Sequence, residues 1–137
     1  VKIVSVFHPL FQCASFVVGV YNARMGLTRK GFTYQRHLRF GLLYYGMAAL
    51  GLIGGWLIHE SLEEAGIRLD MGPHLEVALL LILFFLLAGG LGLLIRYRPT
   101  LRTALLPIHK YLNLASLVLF VYQGFTGFSA LLRFMLS

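Results

Sequence analysis

Charge is what this chain has least of. Of its 137 residues only 12% are charged, while 58% are hydrophobic; an ordinary soluble domain carries about a quarter charged residues. A small soluble domain keeps a large share of its surface in water, so this deficit excludes water as the solvent for much of the chain. Acids are the scarcest, with five against twelve bases and a formal net charge of +7. Such a balance can mark a nucleic-acid binder, but here the bases lie in short loops between apolar runs. Membrane topology demands that placement, and no nucleic-acid partner is expected. Cysteine is nearly absent. Cys13 alone cannot close an internal disulfide and carries no information about redox compartment. A cleavable leader is not expected either. The first apolar run follows a single lysine, contains His8, Pro9 and Gln12, and ends in no small-residue cleavage site. No repeat or low-complexity segment is evident.

What is present is long apolar runs. Crossing about 30 Å of hydrocarbon takes about 20 helical residues, and four stretches qualify, over about 3–22, 37–58, 74–95 and 107–135. They are Leu-rich and Gly-punctuated without the alternation of a barrel strand, so they read as helices whose internal hydrogen bonds satisfy the backbone in lipid. The fold class expected is therefore all-α: one domain, an integral membrane, antiparallel four-helix bundle with both termini on the same side. The connection from His59 to Pro73 is different in kind. It carries Glu60, Glu63, Glu64 and Asp70 and reads as a short interfacial helix before Gly72-Pro73 turns the chain.

Charge orients the bundle. The face opposite the termini holds Arg24, Arg29, Lys30, Arg36, Arg39, Arg96, Arg98, Arg102 and Lys110. The terminal face holds only Lys2, Arg68 and Arg133, with all five acids, Glu76 included. By the positive-inside rule, loops 23–36 and 96–106 are cytoplasmic and both termini lie outside. The expected location is the lipid bilayer of a bacterial inner membrane, crossed several times.

Five histidines in so apolar a chain need a reason, because ionisable groups in a membrane are costly and usually functional. His8 is near the outer end of the first helix and His74 opens the third on the same side. His37 opens the second helix and His109 the fourth, both at the cytoplasmic side. Each pair comes from alternate helices, which are diagonal partners in an antiparallel bundle. A haem iron gripped from above and below by histidines needs that arrangement. Neutral imidazole is the ligating form, so a low-dielectric site does not oppose it. His59, beside Glu60 in a polar stretch, is an alternative for either outer ligand, although interfacial solvation is the simpler role.

Glycines at 41, 46, 51, 54, 55, 89, 90, 92, 124 and 127 would give a porphyrin room, or equally let helices pack closely. Arg36, Arg39 and Lys110, with Arg96, flank the inner pair as candidate propionate contacts, and topology alone also explains them.

His8-Pro9 in the first helix, Arg36-His37 with Gly41 in the second, His74 in the third, and His109-Lys110 with Gly124 and Gly127 in the fourth resemble the small four-helix membrane proteins of the cytochrome b561 superfamily. The likeness spans nearly the whole chain and is nearest to a bacterial branch known as a domain of unknown function. It implies two haems b, one per leaflet, held by His8/His74 and His37/His109. The flanking helices and ascorbate-site residues of many of those cytochromes are not recognisable here.

The expected function is a transmembrane diheme b-type cytochrome with irons on the order of 20 Å apart. It would carry electrons between the quinone pool and a periplasmic or partner-subunit redox protein in a larger membrane complex. It is an electron carrier with no catalytic apparatus of its own. Tyr44, Tyr45, Tyr111, Asn113, Tyr122 and Gln123 offer hydrogen bonds to a quinone, but aromatic belts and helix-bridging amides account for them as well. The rival readings are a non-redox membrane anchor or assembly subunit and, with less support, a proton conduit using histidines and Glu76. A metal site on His59 and Glu63 lacks a third ligand.

Overall fold

The computed structural model of the chain describes residues 2–68 and 71–136; Asp70 and the Lys2 side chain lie outside them. It has four long helices, α1 (Lys2–Thr28), α2 (Tyr34–Glu64), α3 (His74–Tyr97) and α4 (Arg102–Leu136), with a 3-10 turn at Pro99–Leu101 before α4. Three of them, Tyr34–Glu64, His74–Tyr97 and the stretch Pro99–Met135, are long and apolar enough to cross a membrane. At 27 residues α1 has the length of the others.

Each helix runs past its apolar run, because the hydrogen-bond ladder continues into the polar ends. α1 takes in residues 23–28, so Gly26 is helical and not part of a loop. α2 continues unbroken to Glu64, so no separate interfacial helix forms; Glu60, Glu63 and Glu64 ride on its last turns. It stops where Gly66 takes a positive φ of 77°. There Gly66 N–H donates to the Glu63 carbonyl and Ile67 N–H to the Leu62 carbonyl, both at 2.9 Å, a Schellman ending. At the other end of α2 the Thr33 side chain accepts the Arg36 amide at 3.1 Å and caps the first turn. α4 begins five residues before Pro107, which lies inside the helix.

Contacts run in opposite directions along sequential helices. From α1 to α2, His8 meets Gly51, Gln12 meets Ala48, and Ser15 meets Tyr44, so the hairpin is antiparallel. From α3 to α4, His74 meets Thr126 while Ala88 meets His109, with the same sense. α1 also packs on α4 and α2 touches α3 only lightly, while the backbones of α1 and α3, and of α2 and α4, stay apart and meet only through side chains. Those two pairs are the diagonals.

The buried centre is small: Tyr44, Ala48, Leu81 and Phe120, with Phe16, Tyr45 and Phe85 packed around them. Outward, Leu42, Leu50, Leu86, Val118 and Phe125 are more than half exposed. So much apolar side chain facing out has lipid as its natural solvent. Tyr44 fits because α1 offers Gly19, where a β-carbon would stand 2.7 Å from the tyrosine ring. Gly19→Ala is accordingly expected to destabilise the protein by about 1–3 kcal/mol through overpacking. Gly46→Ala, with nothing within 4 Å of the added carbon, should cost nothing. Thermal unfolding in detergent micelles checks both.

Candidate functional site

The four histidines occupy equivalent places. Each sits on the inward face of its helix, and each ring hydrogen-bonds the neighbouring helix of its own hairpin. His8 Nδ1 lies 2.7 Å from the Gly51 carbonyl, and His109 Nδ1 lies 2.8 Å from the Ala88 carbonyl. A carbonyl only accepts, so these nitrogens carry the ring proton and Nε2 is left unprotonated, the form that can ligate a metal. His74 Nδ1 is 3.0 Å from Thr126 Oγ1. That hydroxyl donates its own proton to the Gln123 carbonyl at 3.0 Å, so its oxygen accepts from His74. The His37 ring hydrogen-bonds the Asn22 backbone carbonyl.

Beside every one of those carbonyls is a glycine one turn on. A β-carbon at Gly55 would meet the His8 ring at 2.8 Å and one at Gly127 the His74 ring at 2.7 Å. At Gly26 it would meet the His37 ring at 3.1 Å, and at Gly92 the His109 ring at 3.2 Å. The spacing is the same in all four helices. The Gln123 carbonyl also accepts from the His74 ring. His8, His37, His74 and His109 are each followed after fourteen residues by a residue whose carbonyl accepts from a ring (Asn22, Gly51, Ala88, Gln123) and after eighteen by the glycine (Gly26, Gly55, Gly92, Gly127). Eighteen residues are five full helical turns, so histidine and glycine share one stripe about 27 Å apart. Glycine is 15 of 137 residues, too few for four coincident hits to be background. A repeat that the sequence reading did not recognise is thus present, and it was visible as His-x17-Gly. What hid it is that half of each unit is a backbone carbonyl.

The stripes cross so that two diagonal helices supply histidines to a layer while the other two supply its carbonyls and glycines. The His8 and His74 rings come together with centroids 6.5 Å apart and planes at 85°. The His37 and His109 rings are 6.3 Å apart at 76°. Two imidazoles on opposite sides of one metal, with bonds of about 2 Å, have centroids about 6.3 Å apart. Ligation through Nε2 with Nδ1–H held by a carbonyl is also how metal-bound histidines are usually oriented. The residues therefore fit a bis-histidine haem in each layer.

Around the outer pair is a cavity of about 1260 Å³, lined by His8, His74, Gly55, Gly127, Phe85 and Phe120 among others. Clefts that enclose a drug-sized ligand run to about 1,000 Å³. Two amides stand at this layer: Gln123 Nε2 is 3.2 Å from His74 Nε2, and Gln12 donates to the Ala48 carbonyl at 3.3 Å. Two more stand at the inner layer, Asn22 against His37 and Asn113 beneath His109. Asn113 Oδ1 also accepts from the Tyr45 hydroxyl at 3.0 Å.

His59 also lines the outer cavity but is held differently. Its Nε2 lies 3.6 Å from Glu63 Oε1 one turn on, and among the described residues no carbonyl–glycine pair receives its ring. Among the described residues no group of three or more His, Cys, Asp or Glu forms, so that pair gains no third metal ligand. Of the candidate propionate contacts, Arg36 donates to the Tyr21 hydroxyl at 2.7 Å, Lys110 lies 5.7 Å over the Tyr111 ring, and Arg39 is exposed. Tyr44 and Tyr45 are in the packed centre, whereas Tyr111 and Tyr122 face outward.

Substituting glycines separates the two roles considered for them. Gly55→Ala and Gly127→Ala should push the His8 and His74 rings aside, and a haem held between them would be lost with its absorbance. Gly54→Ala, outside the cavity lining and with nothing within 4 Å of the new carbon, should retain it. Absorbance per mole of purified protein reads the difference.

No protein-family model, no curated protein and no solved structure matches this chain.

Proposed function

We propose that the protein is a transmembrane diheme b-type cytochrome that moves electrons across a membrane. The observation that carries the reading is the fourfold carbonyl–histidine–glycine unit, which brings the rings into facing pairs at 6.5 and 6.3 Å. A histidine serving only to soften a helix end needs neither a fixed ring proton nor a glycine cut out for its edge.

In this reading α1 also crosses the bilayer, and the helices form an antiparallel bundle with both termini on the outer side. Loops 23–36 and 96–106 face the cytoplasm of a bacterial inner membrane. The likeness to the cytochrome b561 superfamily, resting on His8-Pro9, Arg36-His37, His74 and His109-Lys110, supports the same reading. His8 and His74 would hold one haem b, and His37 and His109 the other. The haems supply one-electron chemistry. The protein's residues do the rest. Gly51, Ala88, Asn22 and Gln123 carbonyls orient the imidazoles, Phe85 and Phe120 keep the middle dry, and Arg36, Arg39 and Lys110 are cations at the inner rim. Because an electron carrier needs partners on both sides, we assign it a place between the quinone pool and a periplasmic or partner-subunit redox protein.

A pyridine-haemochrome assay with protein quantification should give two b-type haems per chain. His37→Ala, His109→Ala, His8→Ala and His74→Ala should each remove one, and His59→Ala none. A colourless protein made with ample haem, or full haem content in all four variants, contradicts the proposal.

A further inference from the structure

The two layers are built alike but sit in different fields. Around His37 and His109 the chain carries nine bases, from Arg24 through Lys110, and no acid. Arg96 lies 4.9 Å over Tyr34 and Arg36 bonds Tyr21 there. The other end carries Glu60, Glu63, Glu64 and Glu76 with Arg68 and Arg133; Glu76 and His59 line the cavity between His8 and His74.

One base reaches the inner pair through a single aromatic ring. The Arg29 guanidinium sits 3.8 Å over the Phe32 ring, and Phe32 packs on His37 with centroids 5.5 Å apart. Arg29 does this from φ 60°, the only non-glycine residue with a positive φ among those described. That position follows the end of α1, where its amide bonds the Met25 carbonyl at 3.1 Å, and it is one that favours glycine. The backbone alone would select glycine there. The ring stack beneath the guanidinium is what an arginine adds.

Resting on the diheme reading, we propose that Arg29 raises the reduction potential of the His37/His109 haem. It reinforces a field that places this haem above the His8/His74 haem, so that electrons arrive at the Arg29-bearing end of the bundle. A positive charge favours the reduced, less positive iron, and by Coulomb's law a unit charge about 10 Å away at an effective dielectric of about 20 is worth about tenfold or more. Arg29 is exposed, and ionic screening trims this to a few-fold.

The test is a redox titration of the haem-loaded, full-length protein in lipid nanodiscs, with His37→Ala and His74→Ala used to assign the waves. Arg29→Gly is the informative variant, because glycine suits the backbone there and the fold should be at least as stable. The expected result is a three- to tenfold fall in the reduced-to-oxidised ratio of the His37/His109 haem at fixed potential. The other haem should stay unmoved, and Arg29→Lys should restore most of the loss. An unshifted inner haem in Arg29→Gly, or a wild-type protein whose His8/His74 haem has the higher potential, overturns the proposal. A wild-type protein that takes up no haem at all overturns the diheme reading itself, and this one with it.

Discussion

Everything in this bundle turns on how an imidazole is held in a place with no water. A ring that must keep one nitrogen bare needs its other N–H satisfied, and an unpaired polar group in lipid is expensive. In a helix the carbonyls are already engaged with their own ladder, and side chains cover them. Removing the side chain one turn further on opens a carbonyl to a second, lateral bond. Gly55 opens that of Gly51 to His8, and Gly92 opens that of Ala88 to His109. Because the glycine follows the histidine of its own helix by five turns, each helix both gives a ring and receives one. Ring orientation, helix pairing and layer spacing then follow from one local rule.

Lipid as solvent explains the rest of the design. The outward surface is Leu- and Phe-rich, and aromatic packing is concentrated in a narrow centre where Tyr44, Tyr45, Phe85 and Phe120 interlock. Helices pack through small residues, as membrane helices commonly do. Ser15 donates to the Tyr44 carbonyl across the α1–α2 contact, and Ser116 to the carbonyl of Leu112 on its own helix. The four amides beside the rings all come from α1 and α4, the pair that pack on each other, while α2 and α3 present Gly41, Gly51, Ala78 and Ala88 at the matching positions.

Much of the fold was legible in composition, because hydropathy and charge are additive properties of side chains. The four helices and the antiparallel hairpins came from run length and short connections. Their ends did not. Hydropathy marks where lipid stops, and the backbone ladder of α1 and α2 continues about a turn or two beyond, which moved Gly26 from a loop into a helix and erased the helix expected after His59. The histidine pairs were readable from the helix ends they occupy. The carbonyls they bond were not, since Asn22, Gly51, Ala88 and Gln123 share no side-chain chemistry. Arg29 looked like one more topological base, because its φ and its stack on Phe32 exist only in three dimensions.

If the paired rings of each layer grip a haem iron from both sides, as we propose, they do so with their planes nearly crossed at 85° and 76°. Electron paramagnetic resonance of the oxidised, haem-loaded protein addresses it directly, since the signal reports both the number of imidazole ligands and the angle between them. Low-spin ferric signals of the strongly anisotropic kind that crossed imidazole planes produce are expected. A high-spin signal, or the moderate rhombic signal of parallel rings in both layers, would contradict the proposal.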